Sequence, residues 1–188
     1  MEVAQEFVKQ FDDLRDYLAL VVVDPRAYQT VNEDIVKFLV SQQRTPGVYI
    51  TLNKPAQVLE RKFQMDNIDT RLIIFIDCFS RAGDDQNKRE KNILYIGSPE
   101  RLSDISVAIE QAVNAIPSEK KFVLLDSLST LLIYNKSGTV ARFVHFLSNK
   151  MRSLKVKGVI LSLEKEQEKD LLSDLSQFCD ARIDMVGQ

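Results

Sequence analysis

The sequence predicts an α/β protein built on a mainly parallel sheet with helices on both faces. Three observations carry this. Short apolar runs alternate with segments of helical period along most of the chain, the pattern of repeated strand–helix units. The runs are continuously apolar, as strands covered on both sides must be. Three of them end in an aspartate, Asp24, Asp77 and Asp126, at the carboxyl ends of strands, where such sheets bind ligands.

In chain order, residues 2–16 read as a short amphipathic helix preceding the first strand, YLALVVV (17–23). Val31, Ile35, Phe38 and Leu39 recur at helical spacing in 31–43, placing one apolar stripe on a helix. The strand VYITL (48–52) follows, then a helix over 56–65 carrying Val58, Leu59 and Phe63, then the strand LIIFI (72–76). The polar stretch SRAGDDQNKREKN (80–92) reads as a solvated loop before the strand ILYI (93–96). Leu102, Ile105, Ala108, Ile109 and Ala112 mark a helix in 101–116, and FVLLD (122–126) marks a buried strand. Val140, Phe143, Val144, Leu147, Met151 and Leu154 give the longest stripe, in 139–155. GVILSL (158–163), a helix over 165–178 and ARIDM (181–185) complete the set. The expected organisation is one domain over 1–188, with 1–16 as an N-terminal helical extension.

Composition excludes several function classes. The chain of 188 residues is 45% hydrophobic and 28% charged, with a net charge of −2. That balance gives no global field for nucleic acid or acidic partners. Two cysteines, Cys78 and Cys179, form no CxxC pair, and there is one histidine, His145; neither a zinc site nor a disulfide scaffold is expected. No metal and no cofactor is predicted. The longest uninterrupted apolar run, Leu18–Val23, is too short to span a bilayer, and the first residues lack the basic and apolar regions of a secretory leader. A cytoplasmic protein with no membrane partner is expected.

Three segments carry a family resemblance. TPGVYITLNKPAQVLERKF (45–63) is similar to the second strand and helix of the KaiC-like branch of the RecA superfamily. KKFVLLDSLSTLLIYN (120–135) resembles that family's Walker B strand with its Asp-Ser pair. GVILSLEKEQEKDLLSDLSQFCDARIDM (158–185) resembles the strand, helix and strand that follow. The ordered set spans most of 17–186 and implies a RecA-like three-layer α/β/α sandwich of the archaeal KaiC-like type. It also implies a phosphate loop after the first strand, in which glycines let backbone amides wrap phosphate, a lysine neutralises it and a hydroxyl holds Mg²⁺.

Laid on LALVVVDPRAYQTVNED (18–34), that frame places Val23 and Tyr28 at the glycines, Gln29 at the lysine and Thr30 at the hydroxyl. Only Thr30 fits, and Pro25 removes a donor. Thr30 also opens Thr30-Val31-Asn32-Glu33, a capping-box sequence that predicts an N-cap at Thr30. Where the family carries a water-orienting glutamate after the second strand, this chain has Asn53 or Lys54, and neither can serve as the base. Asp126 matches the Walker B aspartate that helps position Mg²⁺ through water. Thr30 and Asp126 are thus remnant positions of a nucleotide site, with no catalytic residue assigned.

Three functions follow as expectations. The first is a catalytically inactive RecA/KaiC-like pseudo-ATPase with a degenerate Walker A motif, acting as a regulatory or scaffolding protein. Its partner would be a protein, in one arrangement an active RecA-like paralogue, and self-association into homo-oligomers is a related arrangement. The second is a nucleic-acid-binding recombination or repair accessory using Lys150, Arg152, Lys155, Lys157 and the 80–92 loop, although no aromatics interleave to stack bases. Lys136, in Lys136-Ser137-Gly138-Thr139 before a helix, is a further candidate anion contact. The third is a divergent ATPase using Asp126 with Lys54 or Lys136. His145 beside an apolar stripe reads as structural, and Cys78 as a buried thiol.

Overall fold

The computed structural model describes residues 17–80, 92–165 and 168–185. The amphipathic helix expected over 2–16 and nearly all of the 80–92 loop lie outside the described residues. Seven described strands form one sheet: β1 (Tyr17–Val23), β2 (Gly47–Thr51), β3 (Ile73–Asp77), β4 (Ile93–Tyr95), β5 (Phe122–Asp126), β6 (Lys157–Leu163) and β7 (Ala181–Met185). Their order is β4-β3-β2-β5-β6-β1-β7, and each pairing is parallel. The apolar runs predicted this: all seven residues of β1 and all five of β2 and β5 are buried.

Six α-helices among the described residues cover the faces: α1 (Tyr28–Lys37), α2 (Ala56–Met65), α3 (Leu102–Ala115), α4 (Leu128–Tyr134), α5 (Ser137–Leu154) and α6 (Lys169–Ser176). Alternation of side chains along each strand divides the interior into two cores. On one face Tyr49, Leu124 and Phe122 pack with Val31 and Ile35 of α1 and Leu59 and Phe63 of α2. On the other, Ile50, Val123 and Leu125 pack with α3, α4, α5 and α6. Tyr49, Phe63 and Phe75 form an aromatic group, Tyr49 meeting Phe63 edge-on at 5.5 Å between ring centroids.

The helix α4 was not anticipated. Seven residues, LSTLLIY, are too few to show a period, and they follow a strand without a glycine or proline to mark the break. The junction is fastened by serine: Leu163 N–H donates to Ser129 Oγ at 2.9 Å, and Ser127 and Thr130 hydroxyls meet at 3.2 Å. The Asp126–Ser127 peptide is cis.

The capping box expected at Thr30 does not form. Helix α1 begins at Tyr28, with Ala27 at its N-cap and no side-chain cap, so Thr30 lies exposed within the first turn. The Asp24-Pro25-Arg26-Ala27 turn already directs the chain into helix. Ala27 N–H donates to the Asp24 carbonyl at 2.9 Å and Arg26 N–H to Asp24 Oδ1 at 2.7 Å, so the aspartate fixes the entry that the threonine was expected to fix. The Glu33 carboxylate, the other half of the box, pairs instead with Lys62 of α2.

Two strands approach closely enough to exclude a methyl group. A Cβ on Gly47 would lie 2.3–2.5 Å from the Phe122 ring. Gly47→Ala is therefore expected to destabilise the fold by about 1–3 kcal/mol, read as a lowered urea midpoint; an unchanged midpoint would contradict the β2–β5 packing described.

Candidate functional site

The strand order locates the site. From β2 the chain proceeds to β3 and β4 on one side, and from β5 to β6 on the other. β2 and β5 are neighbours, Thr51 pairing with Asp126, so their carboxyl ends form a topological switch point of the sheet. Asp126 is the last residue of β5 and is 1% exposed.

Its partners come from two other elements. Asn32, on the buried stripe of α1, donates through Nδ2 to Asp126 Oδ2 at 2.8 Å and to the Tyr49 hydroxyl at 2.7 Å. Tyr49 of β2 makes a short hydrogen bond from its hydroxyl to Asp126 Oδ2 and lies 3.2 Å from Asn32 Oδ1. Asn53, just beyond β2, approaches Asp126 Oδ1 with its amide at 3.5 Å, the limit of a hydrogen bond. Asn32 and Tyr49 are themselves 6% and 0% exposed. Burial pushes the Asp126 carboxyl up to about 7, because taking it out of water penalises the charged form. Burial likewise raises the Tyr49 hydroxyl.

A narrow cleft beside this group is lined by Tyr28, Asn32, Lys54, Lys62, Phe63 and Asp126, among others. Its volume is ≈ 20 Å³, room for about one ordered water. Tyr28, the first residue of α1, lines the cleft with its hydroxyl buried.

The turn between β1 and α1 spends its donors internally. Asp24 N–H donates to the Met185 carbonyl at 3.1 Å, Arg26 N–H to the Asp24 carboxylate and Ala27 N–H to the Asp24 carbonyl; Pro25 has none. The Arg26 guanidinium is bound to Asp24 at 2.8 and 3.0 Å and holds that carboxyl down to about 2. The third strand-end carboxylate, Asp77, is structural: its oxygens accept from the amides of Ala56, Phe79 and Ser80 at 2.8–2.9 Å, tying the start of α2 to the end of β3.

The expected basic cluster is dispersed. Lys150 pairs with Glu110 at 2.6 Å and lies over the Phe146 ring. Arg152 pairs with Asp180 at 2.8 Å and donates to Ser148. Lys157 is 8% exposed, with its ammonium 3.0 Å from Gln43 Oε1. Lys155, left-handed at the end of α5, is the exposed member, alongside the half-exposed Arg152. These residues are close in sequence, but a helix end and a strand start point them in different directions. Lys136 sits exposed at the N-cap of α5 and makes no side-chain cap; it does not line the Asp126 cleft, whereas Lys54 does. His145 stacks on Phe178 at 4.7 Å. Burial raises both thiols, Cys179 to about 12, which keeps them protonated and unreactive. Among the described residues no group of three or more His, Cys, Asp or Glu could hold a metal ion, and no helix is long and apolar enough to cross a membrane.

Asn32 and Tyr49 were missed by sequence reasoning. One signal was present: Asn32 lies on the same stripe as Ile35 and Val36, a polar side chain on an apolar helix face.

The raised Asp126 carboxyl makes stability depend on pH. Its folded value lies above the ordinary 3.8, so its contribution is complete below that value and is lost as pH rises through about 7. Chemical denaturation should show stability falling by on the order of 2–4 kcal/mol between pH 4 and 8 from this group, and Asp126→Asn should remove that component. An equal slope in the variant would place the proton elsewhere.

A solved KaiC-like protein of the hyperthermophilic archaeon Pyrococcus horikoshii OT3 superposes with a TM-score of 0.68 over 95% of this chain and 77% of its own, at 14% identity. That likeness shows the RecA/KaiC-like fold expected from the three segments. No curated protein sequence matches the chain. A family model matches residues 20–185, and the chain therefore belongs to DUF7504, a family of unknown function.

Proposed function

We propose that this protein is a RecA/KaiC-like pseudo-ATPase that works as a regulatory or scaffolding interaction protein in the cytoplasm. The observation that carries the reading is the closed state of Asp126. At the place where the fold would use an aspartate to position Mg²⁺, Oδ2 is bonded to Tyr49 and Asn32, both buried. Mg²⁺ demands near-octahedral oxygen ligands and keeps several waters, and the Asp126 oxygen nearest α1 is already committed to Tyr49 and Asn32.

Phosphate fits the β1–α1 turn no better. The amides of Asp24, Arg26 and Ala27 are bonded within the protein and its arginine is held by the Asp24 carboxylate. With Asn53 and Lys54 following β2, no described carboxylate of that turn is placed to activate water. Residues retained from a nucleotide site therefore serve the fold, and the surface remains for a protein partner. An active RecA-like paralogue, or a second copy of the chain, is the partner class the fold suggests.

Nucleic acid is the second reading. The pairing of Lys150 and Arg152 with acids and the burial of Lys157 count against it, and absence of salt-dependent binding to single-stranded DNA would dispose of it.

The test is calorimetry and thermal shift with Mg-ATP. The expected result is no heat of binding and no change in Tm at millimolar nucleotide; micromolar affinity would stabilise the fold measurably and would overturn the reading. A hydrolysis assay should likewise give the rate of a no-protein blank.

A further inference from the structure

The turn after β2 places one cation beside the buried acid. Lys54 lines the cleft with Asp126, yet it is exposed and makes no ion pair among the described residues. The other charged groups facing Asp126 are committed. Glu33 of α1 and Lys62 of α2 are paired with each other across the cleft. β2 presents the neutral Tyr49, and the β6 residue in register with Asp126 is Leu161. The backbone carrying Lys54 is fixed on both sides: Leu52 N–H donates to the Asp126 carbonyl at 2.9 Å, Thr51 Oγ1 to the Lys54 carbonyl at 2.7 Å and Ala56 N–H to Asp77 at 2.8 Å. Only side chains in this turn have freedom to respond.

The polar ring accommodates both protonation states of Asp126. With the acid protonated, its O–H donates to Tyr49, Tyr49 donates to Asn32 Oδ1, and the Asn32 amide closes the ring. With the acid ionised, Tyr49 turns its proton to Asp126 and Asn32 Oδ1 loses its donor. The ionised state thus gains a buried charge and leaves an acceptor unpaired, and it needs a compensating cation.

We propose that Lys54 and Asp126 form a proton-gated ion pair that sets the charge of this face. With Asp126 protonated, Lys54 extends into solvent at the mouth of the cleft. When the proton leaves to solvent, the ammonium turns inward, pairs with Oδ1, whose contact is the long one from the Asn53 amide at 3.5 Å, and withdraws its charge from the surface. A partner with an acidic surface would therefore meet this cation only while Asp126 is protonated. The inference rests on the reading that no nucleotide-bound cation occupies Asp126.

Carbon-detected NMR on the full chain tests it, following the Asp126 carboxyl and the Lys54 ε-methylene, assigned with Asp126→Asn and Lys54→Met. The Lys54 signal should move with the Asp126 midpoint in the wild type and stay fixed in Asp126→Asn. Lys54→Met, on an exposed side chain, should fold normally and raise the Asp126 midpoint by about one pH unit. A Lys54 signal indifferent to the Asp126 titration, or a midpoint unchanged in Lys54→Met, would overturn the ion pair and leave the proposed function standing. The same titration with Mg-ATP separates the two: no effect is expected, and a midpoint lowered by Mg-ATP would overturn both.

Discussion

The centre of the molecule is a carboxylate that has been taken out of water. Asp126 ends a strand buried along its whole length, and a charge there costs several kcal/mol unless something answers it. The answer is a tyrosine hydroxyl from β2 and an amide from α1. Those two contacts add polar ties between β5, its ladder neighbour β2 and the helix α1. They fix how α1 lies over the sheet, and so determine where Tyr28 goes and how little space is left beside it.

This arrangement explains why a site-like place in the fold has the chemistry of a core. Switch points of parallel sheets collect ligands because the loops diverge and leave a crevice. Here the crevice is filled from three sides. Asp24 accepts from the Arg26 and Ala27 amides, Tyr28 lines the cleft, and the Glu33–Lys62 pair bridges α1 and α2. Each of these side chains has an ordinary structural role. The strand-end acids show the same economy: Asp24 turns the chain into α1 and Asp77 anchors α2, which leaves Asp126 as the one whose surroundings are not settled by backbone amides.

Much of the fold was legible because its strands are buried on both faces, and continuous runs such as YLALVVV and FVLLD announce that directly. The long α5 was legible for the complementary reason, a stripe sustained over five turns. The short α4 was not, since seven residues cannot establish a period. Of the site, Asp126 could be read from its position at a strand end. Tyr49 and Asn32 could not, because their meeting depends on the β2–β5 register and on the seat of α1, across separations of 17 and 94 residues. The capping box at Thr30 failed because local signals compete, and the Asp-Pro turn sets the N-cap three residues earlier, at Ala27. The pairing of Lys150 and Arg152 with acids and the burial of Lys157 were not legible either, because they depend on residues distant in sequence.

The central claim is that Asn32, Tyr49 and Asp126 act as one closed unit. A double-mutant cycle between Asn32→Ala and Tyr49→Phe, measured by urea denaturation at fixed pH, tests it most directly. Partners in a shared buried network should show a coupling energy of about 1 kcal/mol or more. Effects that add to within a few tenths of a kcal/mol would mean that Asp126 is not held by this ring, and the account of the closed site would fail with it.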